Sequence, residues 1–350
     1  MEVGTKETTV VTPSEGTPRT NLWVSNIDLV MTVYHISTVY FYKPNGGSDF
    51  FDTKLLKEAL SKILVSFYPI AGRLGYDENG RLQIVTTFKC GGVSIGVTSQ
   101  HTLADGPSAL HFINSWADTA RGLSPTIAPV LDRSFLRARQ PPIPKFRHVE
   151  FEPSPTLKTV SDPSIPRPSI VSIFKITAEQ VKALKDKVNE ASGNTKYSIL
   201  TAHIWRCAIK ARELADDQEI KLTIPIDGRN RLRPPLPHGY FGNVIFHAAP
   251  EALAGEIQSE SFIDTYDVKT VRRGAATMQC PNLSINSWMW LPIHDADFGW
   301  GRPVFMRPAN IVHEGKSYIL PSPTGDGSLT LVTRLETAHM KRFGTFLYEF

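Results

Sequence analysis

The stretch that decides the fold is Val93-Ser-Ile-Gly-Val-Thr-Ser-Gln-His101-Thr-Leu-Ala-Asp105-Gly106. Apolar residues alternate with small or polar ones up to position 97, which predicts a half-buried β-strand leading to His101. Pro107 suits the first turn of a helix, and the apolar residues after it recur at helical spacing. Histidine is the side chain whose ordinary pKa suits proton transfer near neutrality, and connections held by a rigid scaffold carry functional groups. We therefore expect His101 to do the chemistry.

The patterns on both sides of this stretch predict an α/β protein with two domains and mixed sheets. Aromatic and β-branched residues at positions 39–42 predict a strand, and Asp52 is placed to cap an amphipathic helix. In the second half, Thr177 and Gln180 have the spacing of a capping box. We expect an N-terminal domain over residues 1–139, a proline-rich crossover over 140–170 and a C-terminal domain over 171–350.

Composition is that of an ordinary globular enzyme. The 350 residues are 41% hydrophobic and 21% charged, and the net charge is +4. No run of lysine and arginine supports nucleic-acid binding, and no stretch is apolar enough for a membrane span. The three cysteines lack metal-ligand spacing, and the N-terminus is polar, so we expect reduced thiols and a cytoplasmic protein.

The His101–Asp105 spacing alone is a weak signal, because two fixed positions recur often by chance. The structural alternative is that Asp105 caps a helix and the histidine is a surface or core residue. A hydrolase triad is not supported, since no Gly-x-Ser-x-Gly elbow is present. A metal site is not supported either, because no third or fourth ligand can be named.

A second dense segment is Asp295-Ala-Asp297-Phe-Gly-Trp-Gly-Arg-Pro303. We interpret it as a sharply turned structural loop, in which Asp297 satisfies backbone donors or an arginine. In Asp227-Gly-Arg229, the guanidinium could hold a buried carboxylate by a bidentate pair. The segment Tyr240-Phe-Gly-Asn243 predicts a turn and no chemistry of its own.

Taken together, these segments resemble the plant BAHD acyltransferase family. The matching pieces are His101-Thr-Leu-Ala-Asp105-Gly106 and, late in the chain, Asp297-Phe-Gly-Trp-Gly301. Further stretches, including Gly239-Tyr-Phe-Gly-Asn-Val-Ile-Phe246, narrow the likeness to the hydroxycinnamoyltransferase branch. The resemblance implies a two-domain fold like that of chloramphenicol acetyltransferase, with a channel between the domains.

The resemblance also implies a reaction, in which an acyl group passes directly from a CoA thioester to an alcohol or amine. His101 would be the general base, and Asp105 would pair with Arg229 to brace the loop. The structural loop near the CoA channel would comprise Asp297, Gly299, Trp300 and Gly301. Trp288 would assist the developing oxyanion through its indole N–H, and Arg273 would bind a carboxylate of the acceptor. The remaining residues expected near the acceptor are Ile36, Thr38, Tyr40 and Asn286.

The chain departs from the family pattern in two ways. It is shorter than is typical, with gaps beside Ile84 and over residues 261–270. Ile36 and Asn286 stand where the branch usually has threonines, Trp290 where an arginine is common, and Gln100 where a second histidine often precedes the motif.

We therefore expect a monomeric acyltransferase that moves a hydroxycinnamoyl group from acyl-CoA, its co-substrate, to a small hydroxylated acceptor such as shikimate or quinate. No cofactor, metal, nucleic-acid or membrane partner is expected. The alternatives are an N-acyltransferase acting on an amine, and a shortened, catalytically impaired relative that only binds ligand.

Overall fold

The structure is a computed structural model. It describes residues 9–18, 22–29, 31, 35–72, 85–87, 93–137, 149, 152–158, 167–188, 194–258 and 280–349. The helices are α1 Asn26–Leu29, α2 Thr53–Ser66, α3 Tyr68–Ala71, α4 Gly106–Ala120, α5 Ala178–Asp186, α6 Lys196–Arg212, α7 Ala254–Gln258 and α8 Thr337–Leu347, with a short 3₁₀ helix at Ser134–Leu136. The strands are β1 His35–Tyr42, β2 Val85–Thr87, β3 Val93–Gln100, β4 Ser169–Ile176, β5 Glu219–Asp227, β6 Ile245–Ala248, β7 Glu251–Leu253, β8 Leu283–Ser287, β9 Phe305–Pro308, β10 Lys316–Pro321 and β11 Leu329–Glu336. Within these ranges, no helix has the length and apolar character needed to cross a membrane.

The chain divides into two compact units that are not contiguous in sequence. The first unit comprises Met1–Pro142, Gly228–Val244 and Leu291–Ala309. The second comprises Ile143–Asp227, Ile245–Trp290 and Asn310–Phe350. This differs from the predicted division at residues 140–170, because two segments expected in the C-terminal domain return to the first unit. The 291–309 segment returns through strand pairing, because β9 hydrogen-bonds to β1 with Met306 opposite Tyr40.

The sheet of the first unit has the strand order β2-β3-β1-β9, and neighbouring strands are antiparallel. In β3, Val93, Ile95 and Val97 are buried, as their alternation predicts. The strand ends at Gln100, one residue before His101, so the pairing of β3 with β1 anchors the residue that precedes the predicted base.

Helices α2 and α4 contact each other in the first unit, and each begins at an aspartate cap. The Asp52 side chain accepts hydrogen bonds from the backbone N–H groups of Lys54 and Leu55, and Asp105 accepts one from that of Ser108. The predicted apolar face of α4 is buried at Leu110, Ile113, Trp116, Ala117 and Ala120. This packing fixes the helix that leaves the His101 turn.

The second unit contains a seven-stranded mixed sheet with the order β4-β11-β10-β8-β5-β6, to which β7 adds by pairing with β5. Strand β8 is parallel to both of its neighbours, β10 and β5, while the other described pairs are antiparallel. Helix α6 is buried along most of its length and contributes Ile204, Trp205 and Ala208 to the core. The capping box predicted at Thr177 and Gln180 is confirmed at the start of α5.

Candidate active site

His101 opens the turn that joins β3 to α4, and its side chain is half-buried. Its Nδ1 atom lies 3.1 Å from Oδ1 of Asn243, a fully buried residue from a distant part of the chain. The amide of Asn243 also donates to the carbonyl oxygens of His101 and Thr102, at 2.8 and 3.1 Å. One asparagine therefore holds both the ring of His101 and the backbone of its turn.

Asp105 is buried and contacts Arg229, the partner named from the sequence. Arg229 donates from Nη1 to Oδ2 at 2.9 Å and from Nη2 to Oδ1 at 2.8 Å, which is a bidentate pair. The Asp105 carboxylate also accepts the N–H of Ser108, as helix cap, and the N–H of Val244 at 2.9 Å. Asp105 thus links the start of α4 to residues 242–244, the segment that carries Asn243.

Ser108 completes this link by hydrogen-bonding to both the backbone N–H and the backbone carbonyl of Gly242. Its Oγ donates to the Gly242 carbonyl and accepts the Gly242 N–H, each at 3.0 Å. Nη2 of Arg229 donates to the same hydroxyl at 2.9 Å and to the same carbonyl at 2.8 Å. Ser108 is therefore a bridge between α4 and the 242–244 segment.

A second buried aspartate, Asp28, was missed by the sequence analysis. It accepts hydrogen bonds from Asn243 and lies 3.0 Å from Nη1 of Arg133, and both side chains of this ion pair are fully buried. The one sequence signal was the spacing Ser25-Asn-Ile-Asp28, a capping box that begins α1. That spacing predicts a helix start, but nothing in it indicates a link to a residue 215 positions away.

Three of the residues expected near the acceptor lie on β1 in the first unit. Ile36, Thr38 and Tyr40 are two residues apart and so share one face of the strand. Ile36 and Thr38 are half-buried, whereas Tyr40 is buried, and burial raises the pKa of its phenol well above the ordinary value. This face therefore combines aliphatic, hydroxyl and un-ionised phenol groups.

The other expected acceptor residues lie in the second unit or outside the described residues. Asn286 is buried in β8, where it is in register with Tyr318 of β10. The half-buried Trp288 follows the strand; its backbone N–H donates to Ile319, and its ring meets that of Tyr318 edge to face at 5.0 Å. Trp290 is 81% exposed. Arg273 and the segment around it lie outside the described residues.

The Asp297 loop has the internal bonding of a folded turn. Oδ1 of Asp297 accepts the N–H groups of Gly299 and Gly301 at 2.8 and 2.9 Å. Both glycines have positive φ, at 106° and 102°, which side chains with a Cβ rarely adopt. The buried Trp300 between them meets Tyr42 edge to face at 6.0 Å. Asp297 therefore satisfies backbone donors, and the loop packs its tryptophan against the β1 strand of the same unit.

Comparison with known proteins gives both a family and close relatives. The chain matches the model of the Transferase family over residues 1–85, 83–279 and 265–349. It is 46% identical to a shikimate O-hydroxycinnamoyltransferase of Nicotiana tabacum and 43% identical to a hydroxycinnamoyltransferase of Narcissus pseudonarcissus, each over 437 aligned positions and 100% of both chains. A 5-hydroxyanthranilate N-hydroxycinnamoyltransferase of Avena sativa is 38% identical over 438 positions and 98% of each chain. These alignments exceed the 350 residues of this chain, which therefore has internal gaps relative to all three.

Solved structures share the fold at much lower identity. Vinorine synthase superposes with a TM-score of 0.70 at 22% identity, covering 95% of both chains. TRI101 of F. graminearum, solved with coenzyme A and T-2 mycotoxin, gives a TM-score of 0.72 at 14% identity, covering 91% of this chain and 96% of the other. The predicted fold class, a two-domain α/β fold like that of chloramphenicol acetyltransferase, is confirmed.

Proposed function

Since the chain belongs to the Transferase family, that of the plant BAHD acyltransferases, we propose that it transfers a hydroxycinnamoyl group from coenzyme A to a hydroxyl group of shikimate or quinate. The family and the named relatives make the protein an acyltransferase. The acyl donor, the acceptor and the role of each residue are the proposal. Coenzyme A enters as the carrier of a substrate, and the proposed reaction uses no further cofactor.

The observation that carries the proposal is the setting of His101. It stands at the end of an anchored strand, half-buried, with its Nδ1 atom against the buried amide of Asn243. A general base must be held in one orientation, and these contacts hold the imidazole of His101 in one orientation. Asp105 serves as a brace, because its carboxylate holds Arg229 and the start of α4.

The reaction needs one proton carrier. The imidazole of His101 takes the proton of the acceptor hydroxyl while the hydroxyl oxygen attacks the thioester carbonyl carbon. The tetrahedral intermediate then breaks its C–S bond, and the departing sulfur of coenzyme A takes the proton back from the imidazolium. The products are the ester and free coenzyme A, and no acyl group is attached to the enzyme.

The remaining roles follow the family resemblance and stay proposals. The indole N–H of Trp288 would donate to the oxyanion of the tetrahedral intermediate. Arg273 would bind the carboxylate of the acceptor as a two-pronged donor. Ile36, Thr38, Tyr40 and Asn286 would contact the acceptor.

The test is transfer from p-coumaroyl-CoA or caffeoyl-CoA to shikimate or quinate, followed by release of the coenzyme A thiol and by mass spectrometry of the ester. Loss of a general base lowers the rate about 10²- to 10⁴-fold, which is the effect we expect for His101→Ala. The control is His238→Ala, since His238 is exposed, and it should retain the wild-type rate. Equal rates for the wild type and His101→Ala would overturn the assignment.

A second candidate is N-acylation of an aromatic amine, and the relative from Avena sativa favours it. The acceptor named for that relative, 5-hydroxyanthranilate, carries a carboxylate, as shikimate and quinate do. A competition between 5-hydroxyanthranilate and shikimate separates the two by product mass, because the two acceptors differ in mass. Mild alkaline hydrolysis, which cleaves an ester and spares an amide, distinguishes the N-acyl product of 5-hydroxyanthranilate from its O-acyl isomer. Exclusive amide formation would replace the first proposal with the second.

A third candidate is a relative that binds coenzyme A without turnover, and the gaps in the alignments favour it. A ligand that binds only the folded protein raises its melting temperature. A rise in melting temperature with coenzyme A, together with no product from any donor and acceptor pair, would support this candidate over both enzymatic ones.

A further inference from the structure

Asp28 is a fully buried carboxylate whose described contacts are all with donors. Its Oδ1 accepts hydrogen bonds from the backbone N and from Nδ2 of Asn243, both at 2.9 Å. Its Oδ2 accepts from the backbone N and Oγ of Ser25, both at 2.8 Å, and lies 3.0 Å from Nη1 of Arg133. One carboxylate oxygen therefore holds Asn243, and the other holds the start of α1 and a buried arginine.

These contacts decide which way the Asn243 amide is turned. Its Nδ2 faces three acceptors: Oδ1 of Asp28 and the carbonyl oxygens of His101 and Thr102. If the amide were flipped, its oxygen would meet those three acceptors with no proton between them. The nitrogen end therefore lies on the Asp28 side, and the oxygen end is the atom 3.1 Å from Nδ1 of His101.

The amide oxygen in turn selects one tautomer of the imidazole. An amide oxygen can only accept a hydrogen bond, so Nδ1 of His101 must carry the proton. In the neutral ring the lone pair then lies on Nε2. We propose that Asp28 is a positioning residue for His101: through Asn243, it keeps the ring in the tautomer whose Nε2 can accept a proton. This rests on the proposed function, in which His101 is the base, and it assigns which nitrogen acts.

The same carboxylate also fixes the turn that carries the ring. Asn243 donates to the carbonyls of His101 and Thr102, and Nη2 of Arg133 donates to that of Leu103 at 2.7 Å. Three successive carbonyls of the turn are therefore bound by two side chains that both contact Asp28. The orientation of the ring and the path of its backbone depend on one buried group.

The first test reads the tautomer directly and requires no substitution in the Asp28 network. In protein labelled with ¹⁵N-histidine, the nitrogen chemical shifts distinguish a protonated ring nitrogen from an unprotonated one. The His101 signals are those lost in His101→Ala. We expect a protonated Nδ1 and an unprotonated Nε2 in the neutral ring. The reverse pattern in the folded wild type would overturn the inference.

The second test is Asp28→Asn, which keeps the volume of the side chain. Ser25 and Arg133 would hold the oxygen of the new amide, so its NH₂ group would face the two donors of Asn243. The new amide would oppose the Asn243 orientation that the carbonyls of His101 and Thr102 still favour, and the preference for that orientation would be weakened. We expect kcat to fall about 10- to 100-fold, KM to change less than about threefold, and the His101 signals to show a mixture of tautomers. Unchanged kcat and unchanged signals would contradict the inference.

The control is Ser25→Ala, which removes a donor from Oδ2 of Asp28 and leaves the contacts of Oδ1 with Asn243. It should lower stability without altering the tautomer. The nitrogen signals also separate this inference from the proposed function, because they are read without turnover. Full activity of His101→Ala would defeat the base assignment while leaving the tautomer result intact, whereas a wrong tautomer in an enzyme that needs His101 would defeat only the role of Asp28.

Discussion

Two aspartate–arginine pairs in the first unit hold the same short segment, residues 242–244, in different ways. Asp105 accepts the N–H of Val244 and pairs with Arg229, whereas Asp28 accepts the N–H of Asn243 and pairs with Arg133. The two carboxylates therefore bind consecutive backbone amides. One aspartate belongs to the most recognisable motif of the chain, and the other belongs to no family motif we identified.

The difference lies in what each carboxylate reaches beyond the backbone. The contacts of Asp105 go to a guanidinium and to the N–H groups of Ser108 and Val244, so it secures the frame. Asp28 also binds the side-chain amide that touches the His101 ring. The aspartate of the motif thus holds the scaffold, while the aspartate outside it is linked to the reactive side chain.

The largest expected effect on stability is that of Asp105→Ala. Removing one partner of a buried ion pair leaves an uncompensated charge, and we expect the free energy of unfolding to fall by about 3–5 kcal/mol. The Arg229 side chain is only 15% exposed, so water cannot fully replace the carboxylate. Urea unfolding of the purified protein measures the loss.

Asp52→Ala is the matched control for that variant, because Asp52 caps α2 as Asp105 caps α4. Loss of an exposed cap costs about 1 kcal/mol. The difference between the two variants isolates the contribution of the Arg229 pair and the Val244 amide. Equal losses would show that Asp105 acts as a helix cap and nothing more.

Local features of the first unit could be predicted from the sequence, and long-range ones could not. The alternation at Val93, Ile95 and Val97 and the helix caps at Asp52 and Asp105 are set by neighbouring residues. The Asp28–Asn243 contact joins residues 215 positions apart, and it exists only because the chain after Asp227 returns to the first unit. The return of β9 to β1 was missed for the same reason.

A smaller loss of stability is expected when the serine hydroxyl beside each aspartate–arginine pair is removed. Ser108→Ala leaves the buried N–H of Gly242 without the acceptor it has at 3.0 Å, which costs about 1–3 kcal/mol. Ser25→Ala removes a helix cap and should cost about 1 kcal/mol, because Asp28 keeps its contacts with the Ser25 N–H and Arg133. Urea unfolding of the two variants side by side ranks them. A larger loss in the free energy of unfolding for Ser25→Ala than for Ser108→Ala would show that the Asp28–Arg133 pair depends more on its neighbouring serine than the Asp105–Arg229 pair does.

The smallest expected loss of stability is at an exposed ion pair on a helix, whose spacing of four residues can be read from the sequence. Lys182 and Asp186 are four residues apart on α5 and lie 3.1 Å from each other, but their side chains are 77% and 61% exposed. Lys182→Met keeps the aliphatic stem and the helix propensity, and we expect a loss of about 0.3 kcal/mol that vanishes in about 1 M salt. Unfolding measured at low and high salt checks both points. A loss as large as that of Asp105→Ala would mean that spacing alone sets the strength of a pair. The expected tenfold difference in stability loss between the two variants would mean that exclusion of water sets the strength of an ion pair. By that reasoning the buried Asp28–Arg133 pair, which no short sequence spacing indicates, can stabilise the protein as much as the Asp105–Arg229 pair of the motif.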